Sequence, residues 1–313
     1  MNILIIGGTR FVGDSLSRQL LAEGHTVAVL NRGRSTDTLP DSVERIRADI
    51  AETEAIAALL SGRTFDAVIN MIASGRDRTG NLLQVVLGCT GHYLQCGSTG
   101  VYAPLKVCPA DESHPTAPPP ELGGFDAKLE SDNVAREMCA ERGVALTIIR
   151  PTNICGAGDV PLDIWGARNP SFFQRIIDGD IISIPDDGQA LLQPVHRDDV
   201  ARPFVLALAD PAPFRLFNVS CAYAVTLNYY AEFIGNLLGR APVVEHVPRE
   251  ELMRLHPDPH VLNPAGMRFV CLHMCFSLAK IRRELGYEPA WTPETALEQS
   301  IAWMFERELI HRH

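Results

Sequence analysis

Lys128 stands where an ammonium group is costly. It lies in GGFDAKLESD (123–132), at the opening of a helical pattern over 127–143, beside the positive end of that helix's dipole. A lysine there implies an anionic or hydroxyl-rich ligand against it, so Lys128 reads as a cofactor-binding residue; the alternative is an incidental surface lysine. A second stretch points to the same ligand. GGTRFVG (7–13) directly follows apolar NILII (2–6) and opens a helix. Gly7 permits a tight turn, and the loop through Gly8, Thr9, Arg10, Phe11 and Val12 turns its amides toward a pyrophosphate. Gly13 lets the helix pack close to the strand. The second strand ends in LNRGRS (30–35). No carboxylate stands there to accept the adenosine ribose hydroxyls of NAD. Asn31, Arg32 and Arg34 take its place, and Arg10 can join them. Guanidinium forks match a 2′-phosphate, so NADP is expected over NAD, with plain solvated charge as the alternative. Asp49, followed by Ile50 at the end of the third strand, is expected at the adenine amino group; its alternative role is to cap the next helix.

Other chemistries fit less well. The eight cysteines (89, 96, 108, 139, 155, 221, 271 and 275) form no CxxC pair and read as reduced, mostly buried thiols of a cytoplasmic chain. CLHMC (271–275) would align Cys271, His273 and Cys275 on one face of a strand. Steps of about 7 Å along one strand suit a tetrahedral metal site poorly. The expectation is a strand with small soft side chains inward, and no metal. The net charge of −10 argues against a nucleic-acid surface. No apolar run approaches the roughly 20 residues that span a bilayer. MNILIIGG lacks a basic start and meets glycines after four apolar residues, so it reads as a buried strand rather than a targeting segment. The partner expected is therefore a small molecule, not a nucleic acid or a membrane; a homodimer is left open.

The elements that must position these residues alternate regularly. Strands are expected at 2–6, 26–30, within 43–50, and at 65–71, 92–98 and 145–151, with helices at 10–24, 52–60, 80–88 and 127–143 between them. This is the pattern of a doubly wound parallel α/β sheet, Rossmann-type, covered on both faces. After Pro151 the rhythm changes: a helix near 171–178, a strand edge and helix in PVHRDDVARPFVLALAD (194–210), a sheet strand at 216–220, then helices with short strands. The expected division is a dinucleotide-binding domain at 1–155, with 190–222 returning to it. Segments 156–189 and 223–313 form a smaller substrate lobe over the sheet's carboxyl edge.

With GGTRFVG, DAVINMIAS (66–74), CGSTGVY (96–102), IIRPTNICGAGD (148–159), PVHRDDVAR (194–202) and LAKIRRELGYEP (278–289), the chain resembles the extended short-chain dehydrogenases/reductases over nearly its whole length. GGTRF with NRG is most similar to an atypical branch of the NAD-dependent epimerase/dehydratase family. The resemblance implies a serine or threonine, a tyrosine, and a lysine four residues after it, as catalytic trio. The lysine binds the nicotinamide ribose, and the tyrosine removes a hydroxyl proton as hydride leaves. Ser98 and Lys128 match two of the three. Gly124 occupies the tyrosine position, next to Phe125. Thr99 and Gly100 stand where sugar dehydratases carry an acid pair, and Cys155 stands where a tyrosine is usual. The resemblance thus implies an enzyme on a sugar or nucleotide-sugar-like substrate, of epimerase, reductase or dehydratase type, with the usual tyrosine replaced. A non-catalytic NAD(P)-binding sensor or scaffold is the alternative. Substitutes for the tyrosine are Tyr102, Cys96 and Cys155, the thiols only if a positive neighbour lowers their pKa. His196 is read as structural, with Asp198 or Asp199 capping the helix after it.

Overall fold

Four consecutive apolar residues, Ile3 to Ile6, are all fully buried, and they alternate between two cores. Ile3 and Ile5 face one side of the sheet; Leu4 and Ile6 face the other. A strand covered on both faces needs an unbroken apolar run, and each such side chain contributes about 1.5–3 kcal/mol on burial. The computed structural model describes residues 1–34 and 36–312. Its first half runs β1 (Asn2–Ile6), α1 (Val12–Ala22), β2 (Thr26–Asn31), β3 (Glu44–Arg47), α2 (Thr53–Leu60), β4 (Ala67–Asn70), α3 (Arg76–Val86), β5 (His92–Cys96), α4 (Phe125–Arg142) and β6 (Ala145–Pro151). There follow β7 (Ile154–Cys155), α5 (Pro170–Asp178), β8 (Ile181–Pro185), β9 (Leu191–Leu192), β10 (Val195–His196), α6 (Arg197–Ala207) and β11 (Phe214–Val219). The chain closes with β12 (Val225–Thr226), α7 (Leu227–Leu237), β13 (Val243–Val247), α8 (Arg249–Leu255), α9 (Pro264–Val270), α10 (Ala279–Leu285) and α11 (Pro293–Glu306).

Seven parallel strands form one sheet in the order β11-β6-β5-β4-β1-β2-β3. This is the doubly wound arrangement expected. Helices α1 and α6 pack on one face, and α2, α3 and α4 on the other. The crossovers reverse direction between β1 and β4, which opens a crevice at their carboxyl ends. A separate apolar core gathers Cys155, Trp165, Phe172 and Phe173 with residues from α7, α8, α9 and α11. The two-stranded pairs β7–β10, β8–β13 and β9–β12 lie outside the main sheet.

The third strand, Glu44–Arg47, lies within the stretch expected to contain it, whereas α3 begins at Arg76, four residues before the apolar pattern at 80 suggests. CLHMC is not a strand: α9 ends at Val270 with Cys271 as its C-cap, and the next residues run without a ladder until an isolated bridge between Ala110 and Phe276. The inward residues there are Met274 and Phe276, while His273 is exposed and Cys271 and Cys275 are half-buried. The larger apolar side chains took the inside positions. No helix among the described residues is long and apolar enough to cross a membrane.

Candidate functional site

The turn after β1 is shaped by close approach. Gly7 has φ 86°, and a Cβ there would lie 2.7 Å from Ile72. A Cβ on Gly13 would lie 2.3 Å from the Gly7 carbonyl oxygen, so only glycine lets α1 start against the strand end. Ser17 ties the turn by donating to the carbonyls of Gly8 and Gly13, both at 2.8 Å. Gly8 itself packs beneath the loop against Ile5 and Val29. Phe11 is the N-cap of α1 with φ 46°, and its ring faces Gly158 of the lobe.

A cleft of about 620 Å³ opens above this turn. From the loop it is lined by Gly7, Thr9, Arg10, Phe11, Val12 and Gly13. Asn31, Arg32 and Arg34 contribute from the end of β2, and Asp49 and Ile50 from beyond β3. Met71, Ile72 and Arg78 close one side; Cys96, Ile154, Gly158 and Asp159 close the end nearest the lobe. Sequence reasoning missed Arg78, because the helix start was placed at residue 80; with α3 beginning at Arg76, Arg78 falls in its first turn and faces the cleft.

Asn31 is a brace rather than a free acceptor. Its Nδ2 donates to Thr9 Oγ1 at 3.2 Å, and its Oδ1 accepts from the Gly33 amide at 2.8 Å and from Arg47. Asp49 serves two partners: its Oδ1 accepts from the Ala51 amide at 3.1 Å, and its Oδ2 lies 3.9 Å from Arg32. Arg10 and Arg34 form no ion pair with any described residue. Four guanidinium groups against two carboxylates make the cleft positive in a chain of net charge −10.

Beyond the cleft, Lys128 Nζ donates to the Ala73 carbonyl at 2.7 Å, which fixes the ammonium between the turn after β4 and α4. Ser98 Oγ accepts from the Gly100 amide at 3.2 Å, leaving its own proton to give. Gly124 is exposed, is the N-cap of α4 at φ 84°, and a Cβ built on it would meet nothing within 4 Å. The aromatic group beside it is already engaged: the Phe125 ring packs at a tilt on Phe269 of α9, centroids 4.9 Å apart, and lies against Gly100, where any side chain would collide with it.

The substitutes for a tyrosine differ sharply in surroundings. Tyr102 is buried between Arg150, His114 and Phe276, and burial raises its pKa. Cys96 reaches the cleft; burial pushes its thiol up to about 11, with Lys128 pulling the other way. Cys155, expected at the sheet's carboxyl edge, instead packs in the second apolar core. It is 2% exposed, donates to the Val195 carbonyl at 3.6 Å, and burial drives its pKa far above the ordinary thiol range. The alternation of β7 is the reason: it turns Ile154 toward the cleft and Cys155 away. His196 is itself the N-cap of α6, accepting from the Asp198 amide at Nδ1; its Nε2 bonds Gln299 at 2.6 Å and its ring stacks on Trp291. Neither aspartate caps that helix. Asp198 accepts from Ser15 Oγ, and Asp199 accepts from the Ala290 and Trp291 amides.

Comparison with known proteins places this geometry. The family model of the NAD dependent epimerase/dehydratase family matches residues 3–220. The chain is 27% identical, over 97% of its length and 79% of the relative's, to the chloroplast stem-loop binding protein of 41 kDa b from Arabidopsis thaliana. It is 24% identical to UDP-glucose 4-epimerase of Corynebacterium glutamicum over 97% of this chain and 95% of that one. In three dimensions it is similar to the dTDP-glucose 4,6-dehydratase DesIV of Streptomyces venezuelae, with a TM-score of 0.78 at 22% identity over 98% of both chains.

Proposed function

The chain belongs to the NAD-dependent epimerase/dehydratase family, and from that premise we propose that it binds NADP in preference to NAD and acts on a sugar or nucleotide sugar without the family's usual tyrosine. One observation carries the cofactor reading. The cleft combines a glycine turn that no Cβ would allow with Arg10 and Arg34, which have no partner among the described residues. These groups fit a dinucleotide: the turn for the pyrophosphate, Arg10, Arg32 and Arg34 for a 2′-phosphate, and Asp49 and Ile50 for the adenine.

When bound, the nicotinamide supplies the acceptor or donor of hydride. The chain's own part is positional. Lys128, anchored on the Ala73 carbonyl, offers its remaining protons to ribose hydroxyls. Ser98, whose oxygen is held by the Gly100 amide, donates its proton to the reacting substrate oxygen. The lobe of 156–189 and 223–313 holds the substrate, as substrate lobes do over this edge. Of the thiols, Cys96 is the candidate for proton transfer, because it lies at the cleft beside Lys128, whereas Cys155 is sealed in the core.

A second reading is favoured by Gly124, which offers no side chain where the proton carrier usually stands. On that reading the protein binds NAD(P) as a sensor or scaffold. The deciding experiment is calorimetry with NADP and NAD, followed by turnover on UDP-glucose and dTDP-glucose. Binding with turnover that Lys128→Ala abolishes supports the enzyme. Binding without turnover supports the sensor. No affinity for either nucleotide refutes both.

A further inference from the structure

A second cavity, of about 560 Å³, lies on the α4 side of the last two strands and shares no lining residue with the dinucleotide cleft. Ile148 of β6 and Phe214 and Leu216 of β11 give it an apolar floor. Its size falls within the range of small-molecule pockets. Its mouth is cationic. Arg136 of α4 extends over the Phe214 ring at 4.6 Å and makes no ion pair with a described residue; Arg283 projects from α10 on the opposite side, its exposed guanidinium paired with the adjacent Glu284 at 3.0 Å. The other two cations are committed inside the protein. Lys280 donates to the Leu216 carbonyl at 2.9 Å, and Arg150 is paired with buried Asp132 at 2.9 Å.

The inner wall carries an acceptor. Glu112 takes the Asn218 amide on one carboxylate oxygen at 2.7 Å, and the carboxylate borders the cavity. Burial raises its pKa. Asp111, at the rim, is held by Ser113. Directly behind this wall, Asn218 is in register with Arg150, fully buried, and has no partner for either carboxamide atom among the described residues. The wall is thus polar to a depth that a sealed apolar seam would not need.

We propose that this cavity is a second ligand site, separate from the dinucleotide cleft, for a small hydroxylated anion such as a sugar phosphate or a sugar acid. The anionic end lies between Arg136 and Arg283, the carbon frame rests on Phe214 and Leu216, and a hydroxyl donates to Glu112. A guanidinium pair at the mouth of a concave site concentrates anions there, as the four guanidinium groups do at the first cleft, even in a chain of net charge −10.

The test is calorimetric titration of the full-length protein, with and without NADP, using glucose 6-phosphate, gluconate, glucose and inorganic phosphate. Two variants accompany it: Arg283→Glu reverses one mouth charge, and Ala279→Trp fills the mouth from an exposed position lining it. Glucose 6-phosphate or gluconate should bind, whether or not NADP is present, and glucose should not. Each variant should weaken that binding at least about tenfold, the scale of one charge-assisted contact, and leave NADP affinity and Tm unchanged. Binding of the phosphate ester alone assigns a phosphate group to the ligand, and binding of gluconate alone assigns a carboxylate. The proposal is overturned if none of the four binds. It is also overturned if inorganic phosphate binds as tightly as the sugar anions and Ala279→Trp has no effect, because that is plain surface charge. Failure of NADP to bind would count against the cofactor reading and leave this result to stand by itself.

Discussion

Arg32→Asp is the most direct probe of cofactor choice. Arg32 sits at the end of β2 with its side chain 55% exposed and Nη1 3.9 Å from Asp49 Oδ2. An ion pair that exposed is screened and contributes little to stability, at most about 1 kcal/mol, so its loss should not unfold the protein. The effect on ligand is larger. A charge-assisted hydrogen bond to a 2′-phosphate is worth about 1.5–3 kcal/mol, and the exposure of Arg32 argues for the lower end, near 1.5 kcal/mol. That corresponds to about a tenfold rise in the Kd for NADP. The introduced carboxylate also repels the phosphate and accepts from ribose hydroxyls, so the NAD Kd should fall. The ratio of the two constants should therefore shift by more than tenfold toward NAD. Calorimetry with both nucleotides at about 0.15 M salt measures it, and repeating it near 1 M should shrink the effect as the Debye length drops to about 3 Å. Arg34→Ala is the control, with a smaller loss and no gain for NAD. An unchanged NADP/NAD ratio in Arg32→Asp would remove this residue from cofactor selection.

Four further outcomes follow from the geometry. Gly13→Ala should cost both stability and nucleotide binding, since its Cβ would lie 2.3 Å from backbone that cannot yield; thermal melts with and without NADP check this. Gly124→Tyr places a non-glycine residue at φ 84°, a strain of about 1–2 kcal/mol, and points the ring into open space. Tm should drop slightly with nucleotide affinity unchanged, and a large loss of NADP binding would show that residue 124 lines the cleft after all. Asp132→Ala should cost about 3–5 kcal/mol in denaturant unfolding, because it leaves Arg150 buried without its partner. Asp163 is fully buried, its Oδ2 has no hydrogen-bond partner among the described residues, and burial raises its pKa to about 7 from an ordinary 3.8. The native state thus holds a proton that the unfolded chain releases near pH 4, so this group's contribution falls as pH climbs from about 4 through about 7. Asp163→Asn should raise Tm at pH 8 and change it little at pH 4; an equal shift at both pH values would contradict that titration.

Much of the cleft above the β1–α1 turn was legible because its signals are local. GGTRFVG after an apolar strand, and LNRGRS at the end of the next, fall at the carboxyl edge of a parallel sheet wherever the alternation of strand and helix holds. The residues read there, from Gly7 to Gly13, Asn31, Arg32 and Arg34, and Asp49 with Ile50, line one cleft except for Gly8, which packs beneath it. Arg78 was missed because the start of α3 is polar: Arg76, Asp77 and Arg78 carry no apolar period to announce a helix.

Sequence alone determined the sheet, since apolar strands buried on both faces and separated by helices pack in few ways. It also determined the turn that receives the helix dipole, where only glycine escapes collision. Tertiary structure decided the chemistry around them. Cys155 sits one residue from the cleft-lining Ile154, yet the pairing of β7 with β10 turns it into the second apolar core and presents Ile154 instead. The Phe125 ring is committed to Gly100 and Phe269 by the docking of α9, and CLHMC is pulled out of strand geometry by the end of that same helix. Which side of a short strand faces a cleft, and which ring covers a neighbour, depend on contacts between residues far apart in the chain, such as Cys155 with His196 and Phe125 with Phe269. No periodicity within a window of sequence carries that information.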